Sequence, residues 1–209
     1  MAKQVAGELY ESITGQLFEI GRQLRQPNGY PFNPEVLQRW LQLAIEGKFV
    51  FGGFKFASAP FDPATFEGLG QGWSEVLEDR DERAYSFLEA DLAKASFDSC
   101  LKENEILING EEKLRRLKAS KNIRWCATQF AGLWKDYQIN GRDSILERAY
   151  HAKVITGFLS FFGTVLLDPS GARRVLCLYC NGDGQWHWHV FWLEFGWFAD
   201  NLSASSSQV

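Results

Sequence analysis

The strongest constraint on the fold is a run of alternating aromatic residues near the C-terminus. Residues 174–193 read Arg-Val-Leu-Cys-Leu-Tyr-Cys-Asn-Gly-Asp-Gly-Gln-Trp-His-Trp-His-Val-Phe-Trp-Leu, so a polar turn rich in glycine separates two apolar runs. This pattern predicts an antiparallel β-hairpin. Tryptophan on a pleated surface fills either a core or a binding face. We therefore expect partner recognition to involve the tryptophans in and just after the hairpin: Trp186, Trp188, Trp192 and Trp197.

The hydrophobic period changes near Val154. Before it, apolar residues recur at steps of three and four, which is typical of helices. After it, the segments 154–167, 173–180 and 185–195 read as strands joined by turns rich in Gly, Asp and Asn. We therefore predict an α+β fold, in which a helical N-terminal two thirds packs on a C-terminal antiparallel meander of three or more strands.

We predict one compact unit built from four consecutive segments. The first is a helix pair, whose second helix begins at Asn33-Pro34, and the second is a short hairpin turned at Gly52-Gly53 and followed by mostly helical chain. The third is the aromatic sheet, and the fourth is a polar tail that we expect to be disordered. Their bounds are 1–48, 49–153, 154–200 and 201–209.

Composition and charge narrow the function classes. The formal net charge is -4 at pH 7, which disfavours broad electrostatic binding to nucleic acid or to anionic membranes. The sequence holds no run of about 18 uncharged apolar residues, so we expect no membrane span. The four cysteines are too few and too scattered for a disulfide scaffold, and the N-terminus lacks an apolar signal segment. We therefore expect a cytoplasmic protein.

The hairpin offers a candidate metal site whose geometry depends on the length of the turn. With an even loop at residues 181–184, Cys180, His187 and His189 share one face, and the Trp side chains share the other. A loop of three residues would pair the faces the other way. In the even case, the three ligands could hold Zn²⁺ with an open fourth position, as in a metal-dependent hydrolase. No other cofactor is predicted.

A basic stretch offers a candidate nucleic-acid site. Residues 113–124 carry six basic side chains and no acidic one, and a tryptophan follows. Such a stretch could contact phosphates while the indole stacks on a base. The alternative is an ordinary solvated helix face, which the overall acidity favours. The candidate residues are Arg115, Arg116, Lys118, Lys121, Arg124 and Trp125.

Several motifs resemble those of a family of uncharacterised hypothetical proteins that is common in metagenomic assemblies of reduced-genome bacteria. They include Gly110-Glu-Glu-Lys-Leu-Arg-Arg116, Phe162-Gly-Thr-Val165, Arg174-Val-Leu-Cys-Leu-Tyr179 and Trp186-His-Trp188. The resemblance covers about two thirds of the chain. It implies a self-standing bacterial protein, and it carries no activity and no functional residue.

The leading hypothesis is a non-enzymatic binding or accessory module that recognises a protein partner through the aromatic sheet. The metal-dependent hydrolase and the nucleic-acid binder are the alternatives. Because an unpartnered imidazole is costly to bury, we expect the Trp face of the hairpin to lie against helices and the His face to be accessible. Trp188→Ala should then be severely destabilising, and joint replacement of His187 and His189 by Ala should leave the fold intact.

Overall fold

The computed structural model describes residues 8–25, 38, 41, 42, 45 and 53–207. The chain divides into two compact units, Met1–Phe49 and Val50–Val209, where the sequence predicted one. In the first unit, helix α1 spans Glu8–Gln23, and residues 38, 41, 42 and 45 are helical. The start of the predicted second helix and most of the predicted turn at Gly52-Gly53 lie outside the described residues.

The second unit combines short helices with strands from almost its whole length. Its helices are α2 (Glu82–Tyr85), α3 (Gly110–Ala119), α4 (Ala127–Asn140) and α5 (Ile145–His151). Its first six strands are β1 (Lys55–Ala57), β2 (Ser74–Glu75), β3 (Glu89–Asp91), β4 (Ser96–Asp98), β5 (Leu107–Asn109) and β6 (Ile123–Arg124). The other six are β7 (Phe158–Ser160), β8 (Leu166–Leu167), β9 (Arg173–Cys180), β10 (Trp186–Trp192), β11 (Gly196–Phe198) and β12 (Leu202–Ser206).

One curled sheet of eight strands organises this unit. Its main path runs β2-β8-β9-β7-β12-β4, with β10 paired to β9 and β6 paired to β12. The pair β7–β12 is parallel, and the other pairs in the sheet are antiparallel. The described chain also contains two sheets of two strands each, β1–β3 and β11–β5. Strands from before residue 154 therefore belong to the same sheet as the aromatic hairpin.

The predicted fold class is wrong. Within the described residues, helices do not fill the N-terminal two thirds, and the sheet is a mixed one rather than a C-terminal antiparallel meander. The error is largest over 74–102, where the composition suggested helix and the structure has β2, β3, β4 and only one turn of α-helix. Strands of two or three residues are too short to show a period of two, and their stability comes from partners distant in the sequence.

The end of the described chain is also ordered, contrary to the predicted tail. Strand β12 lies between β7 on one edge and β4 on the other, and Ser203 pairs with Ser160 and Asp98. Ala204 is 1% exposed, and the Ser203 hydroxyl lies 3.0 Å from that of Ser160. A polar run of small residues therefore forms a central strand, because serine hydroxyls find hydrogen-bond partners inside the sheet.

The two faces of the sheet are covered by different helices. Leu114 and Leu117 of α3 pack in one core cluster with Val175 and Cys177 of β9. On the opposite face, Phe130 of α4 contacts Trp188 of β10. Because both faces are covered, the central residues of β9 are buried on both sides and the strand reads as a continuous apolar run.

Candidate functional site

The register of the aromatic hairpin decides which side chains share a face. Trp186 pairs with Cys180, which leaves residues 181–185, five in all, as the loop. This odd loop places Cys180 on the same face as Trp186 and Trp188, and it places His187 and His189 on the other face with Cys177. The predicted hairpin is therefore present, and its faces are paired as the sequence predicted for a three-residue loop, because five is also an odd number of residues.

This register separates the three candidate metal ligands. Cys180 lies across the sheet from His187 and His189, so the three side chains do not converge. Among the described residues, no group of three or more His, Cys, Asp and Glu side chains is placed to hold a metal ion. The structure therefore does not bring Cys180, His187 and His189 together as the predicted Zn²⁺ site, because the turn between the two strands has an odd number of residues.

Two of the four candidate recognition tryptophans are core residues. Trp197 is fully buried, with its ring 4.9 Å from that of Phe162 and 5.0 Å from that of Phe191. Trp186 is 1% exposed and packs edge-on against Tyr150 of α5 at 5.8 Å. Neither indole is accessible to a partner. Trp186 and Trp197 are therefore core residues and not the recognition residues that the sequence predicted.

The Trp192 ring is half-buried and contacts other side chains of the protein. The Arg174 guanidinium lies 3.7 Å from the centre of its ring, and Asp168 holds that guanidinium in an ion pair. Phe195 packs on the same indole, with 5.1 Å between the ring centres. The Trp192 ring thus stabilises an internal arginine.

Trp188 is the hairpin tryptophan that lines an open groove. The groove has a volume of about 520 Å³ and lies between α4, the segment 60–68 and β10. Its lining residues are Pro60, Asp62, Thr65, Phe66, Glu67, Gly68, Trp134, Gln138 and Trp188. Three aromatic rings therefore share one concave surface with two carboxylates and an amide. We call this site the Trp188 groove.

The segment 57–59 is anchored directly on α4, and this contact positions one wall of the groove. The Ala59 amide donates to the carbonyl of Thr128 at 3.0 Å, and the Gln129 side chain donates to the Ser58 hydroxyl at 3.0 Å. Gly132 permits the approach, because a Cβ at that position would collide with the carbonyl oxygen of Ala57. Glycine is needed wherever two backbones come this close.

A capped turn forms the rim of the groove. The Asp62 carboxylate accepts the Ala64 amide hydrogen at 2.9 Å, and the Phe66 amide donates to the carbonyl of Asp62 at 2.9 Å. Phe61 packs against Phe66, with 5.0 Å between the ring centres. Phe66 in turn meets Trp188 nearly at right angles, at 5.3 Å and 80°. The turn therefore places Asp62 and an aromatic ring on the same rim.

One edge of β10 adjoins this groove. The Trp186 amide hydrogen points away from β9 and is donated to the Tyr137 hydroxyl at 3.1 Å. In an antiparallel pair the direction of the backbone groups alternates, so those of Trp188 and Val190 also point away from β9. Among the strands of the described chain, β10 pairs only with β9. The outward backbone groups of Trp188 and Val190 therefore have no strand partner in the described chain.

The candidate nucleic-acid residues are mostly engaged in the fold. Trp125 is fully buried and Arg124 is 5% exposed, so neither can contact a base or a phosphate. On α3, Arg115 and Arg116 pair with Glu112, Arg116 also pairs with Glu105, and Lys118 pairs with Asp79. Lys121 is exposed. These residues therefore do not form the predicted phosphate track with a stacking indole.

Another basic side chain of the same helix is fully buried. Lys113 donates from Nζ to the carbonyl of Asn201 and lies 5.1 Å from the Trp197 ring. Burial lowers the pKa of this amine to about 8. The basic run in the sequence thus divides into two buried side chains, Lys113 and Arg124, and surface side chains that mostly form ion pairs. Composition alone does not reveal this division.

Most of the groove was missed at the sequence level. Of its lining residues, only Trp188 was among the candidate site residues predicted from the sequence. The sequence does contain one indication of this surface, because Trp134 and Gln138 are four residues apart and therefore lie on one face of a helix. Nothing in the sequence indicates that this face meets the 60–68 segment.

Comparison of the chain with protein-family models, with curated protein sequences and with solved structures gives no match. Among the described residues, no helix is long and apolar enough to cross a membrane.

Proposed function

We propose that this protein is a non-enzymatic binding module that recognises a segment of a protein partner in the Trp188 groove. The observation that carries the proposal is the position of Trp188, whose half-buried indole shares an open groove of about 520 Å³ with Phe66 and Trp134. Rigid aromatic side chains that line a concave surface supply large contact area at a low cost in conformational entropy, which is typical of recognition sites.

The edge of β10 supports an extended peptide as the occupant. Outward amide and carbonyl groups of Trp188 and Val190 could pair with the backbone of an added strand. The side chain of the same Trp188 lines the groove. A peptide along β10 would therefore gain backbone hydrogen bonds and a side-chain pocket at one position.

The charge of the groove argues against the nucleic-acid alternative. Asp62 and Glu67 belong to its lining, and no lysine or arginine does. Phosphate groups would be repelled by these carboxylates. A peptide can present a neutral or cationic side chain there without this penalty.

Selection from a displayed library of random peptides tests the proposal. We expect the intact protein to enrich peptides that bind it, and we expect Trp134→Ala to weaken their binding at least about tenfold, as for a central aromatic contact. The matched control is Trp73→Ala, because Trp73 is also partly buried and does not line the groove. Thermal melts of both variants verify that they fold.

Two results would contradict the proposal. One is the absence of any enriched peptide, and the other is loss of binding in Trp73→Ala with full binding in Trp134→Ala.

A further inference from the structure

We propose that the Trp188 groove recognises an arginine side chain of the partner segment. This inference rests on the proposed function and names the group that the groove accepts. Three features of the groove carry it: its aromatic rings, its carboxylates, and the way the protein holds its own arginines elsewhere.

The groove combines the two kinds of group that a guanidinium prefers. Phe66, Trp134 and Trp188 offer aromatic faces, on which a planar cation stacks favourably. Asp62 and Glu67 offer carboxylates, which accept the N–H groups of a guanidinium. Gln138 adds an amide oxygen that accepts the same donors.

The carboxylates of the groove remain available to a ligand. Glu67 is exposed and has no ion-pair partner within the described part of the chain. Asp62 is also exposed, and its contacts with the Ala64 amide and the Thr65 hydroxyl orient it without neutralising its charge. The groove therefore keeps a negative potential that an incoming cation would meet.

The protein builds the same arrangement twice within its own fold. Arg174 lies 3.7 Å from the centre of the Trp192 ring and pairs with the carboxylate of Asp168. Arg80 lies 3.6 Å from the centre of the Tyr85 ring and pairs with Glu75 at 3.4 Å. In both cases a guanidinium is held between an aromatic face and a carboxylate. The Trp188 groove presents the ring and the carboxylates without such an arginine among its lining residues.

The arginine also fits the strand geometry of the proposed peptide complex. A peptide paired to β10 directs alternate side chains to the face on which Trp188 lies. A side chain of that set would reach the groove while its backbone stays at the edge of the strand. A long side chain with a planar cation would then contact the rings along its length and the carboxylates at its end.

The test compares two peptides that differ only in charge. Both are nine-residue peptides of alternating threonine and valine, with either arginine or its neutral isostere citrulline at the centre. Binding is followed in ¹⁵N-labelled protein through the indole N–H signals of Trp134 and Trp188, assigned with single Trp→Phe variants. We expect the arginine peptide to shift both signals and to bind at least about fivefold more tightly than the citrulline peptide.

A pair of protein variants tests the role of the carboxylate. Glu67→Gln should weaken binding of the arginine peptide by about twofold to fivefold and leave that of the citrulline peptide unchanged. Glu103→Gln is the matched control, since Glu103 is exposed and does not line the groove. It should change neither affinity.

The results that would contradict the arginine assignment differ from those that would contradict peptide recognition. Equal binding of the two peptides, or selection of groove-binding peptides that lack arginine, would overturn the arginine assignment and leave peptide recognition standing. If cellobiose shifts the two indole signals at millimolar concentration and no peptide does, both proposals are overturned and the groove is a sugar site.

Discussion

At the scale of single residues, the hairpin tryptophans differ in burial and therefore in their expected contribution to stability. Trp197 is 0% exposed and lies inside the core cluster, while Trp188 is half-buried between Phe66 and Phe130. His189 is exposed, and His187 is half-buried with its ring 5.7 Å from that of Tyr179. The loss in free energy of unfolding on replacement by alanine should therefore be largest for the most buried of these residues and smallest for the most exposed.

We expect Trp197→Ala to lower the free energy of unfolding by about 3–5 kcal/mol, and Trp188→Ala by about 2–3 kcal/mol because part of its surface remains in water. Joint replacement of His187 and His189 by Ala should change it by less than about 1 kcal/mol. Urea unfolding followed by circular dichroism measures all three. A larger loss in the histidine double variant than in Trp188→Ala would mean that the His face carries the packing.

At the scale of elements, the length of one turn determines what each face of the hairpin presents. The five-residue loop between β9 and β10 puts Cys180 with the tryptophans, and this arrangement removes the predicted metal site. Moving the register by one residue would transfer the whole aromatic set to the other face of the sheet. Whether the loop has an odd or an even number of residues therefore matters more than how long it is.

Changing that parity should be far more damaging than lengthening the loop. Deletion of Gly182 leaves four residues, and we expect it to lower the free energy of unfolding by about 3 kcal/mol or more, because the tryptophan face would lose its packing against α4 and α5. Insertion of two glycines after Gly182 keeps an odd loop and should cost less than about 1 kcal/mol. Thermal and urea unfolding of the two variants makes the comparison, and equal losses would argue against control by parity.

At the scale of the whole molecule, the last strand joins parts of the chain that are distant in sequence. Strand β12 pairs with β4, β6 and β7, so residues near 97, 124 and 159 all depend on a segment that comes after residue 200. The Trp125 indole also donates to the Ser206 hydroxyl at 2.8 Å. The eight-stranded sheet is therefore completed only when the C-terminal segment is in place.

A charge placed within β12 should disrupt the sheet as a whole. We expect Ala204→Asp to lower the free energy of unfolding by about 3 kcal/mol or more, because Ala204 is 1% exposed and an aspartate there would be a buried charge without a partner. Ser207→Asp is the control, since Ser207 is exposed just beyond the strand. Hydrogen exchange should show faster exchange at Phe97 and Leu159 in the first variant only. Unchanged exchange there would contradict the central place of β12.

Local chemistry was predictable wherever the decisive contacts lie close in the sequence. Asn109 accepts the amide hydrogen of Glu111 at the start of α3, and Ser144 accepts that of Glu147 at the start of α5, so both helix starts follow from capping residues. The hairpin likewise follows from two apolar runs around a glycine-rich turn. These features depend on contacts within a few residues, and a linear pattern records such contacts directly.

The sequence by itself determined the hairpin, the caps of α3 and α5, and the aromatic character of the sheet. The tertiary structure alone decided that a serine-rich end becomes a central strand, that Trp186, Trp197 and Trp125 are core residues, and that Trp188 meets Phe66 and Trp134 across a groove. The physical reason is sequence separation. Burial and strand pairing bring together residues up to about a hundred positions apart, such as Ser205 and Ser96, and no local pattern specifies which distant segment will supply the partner.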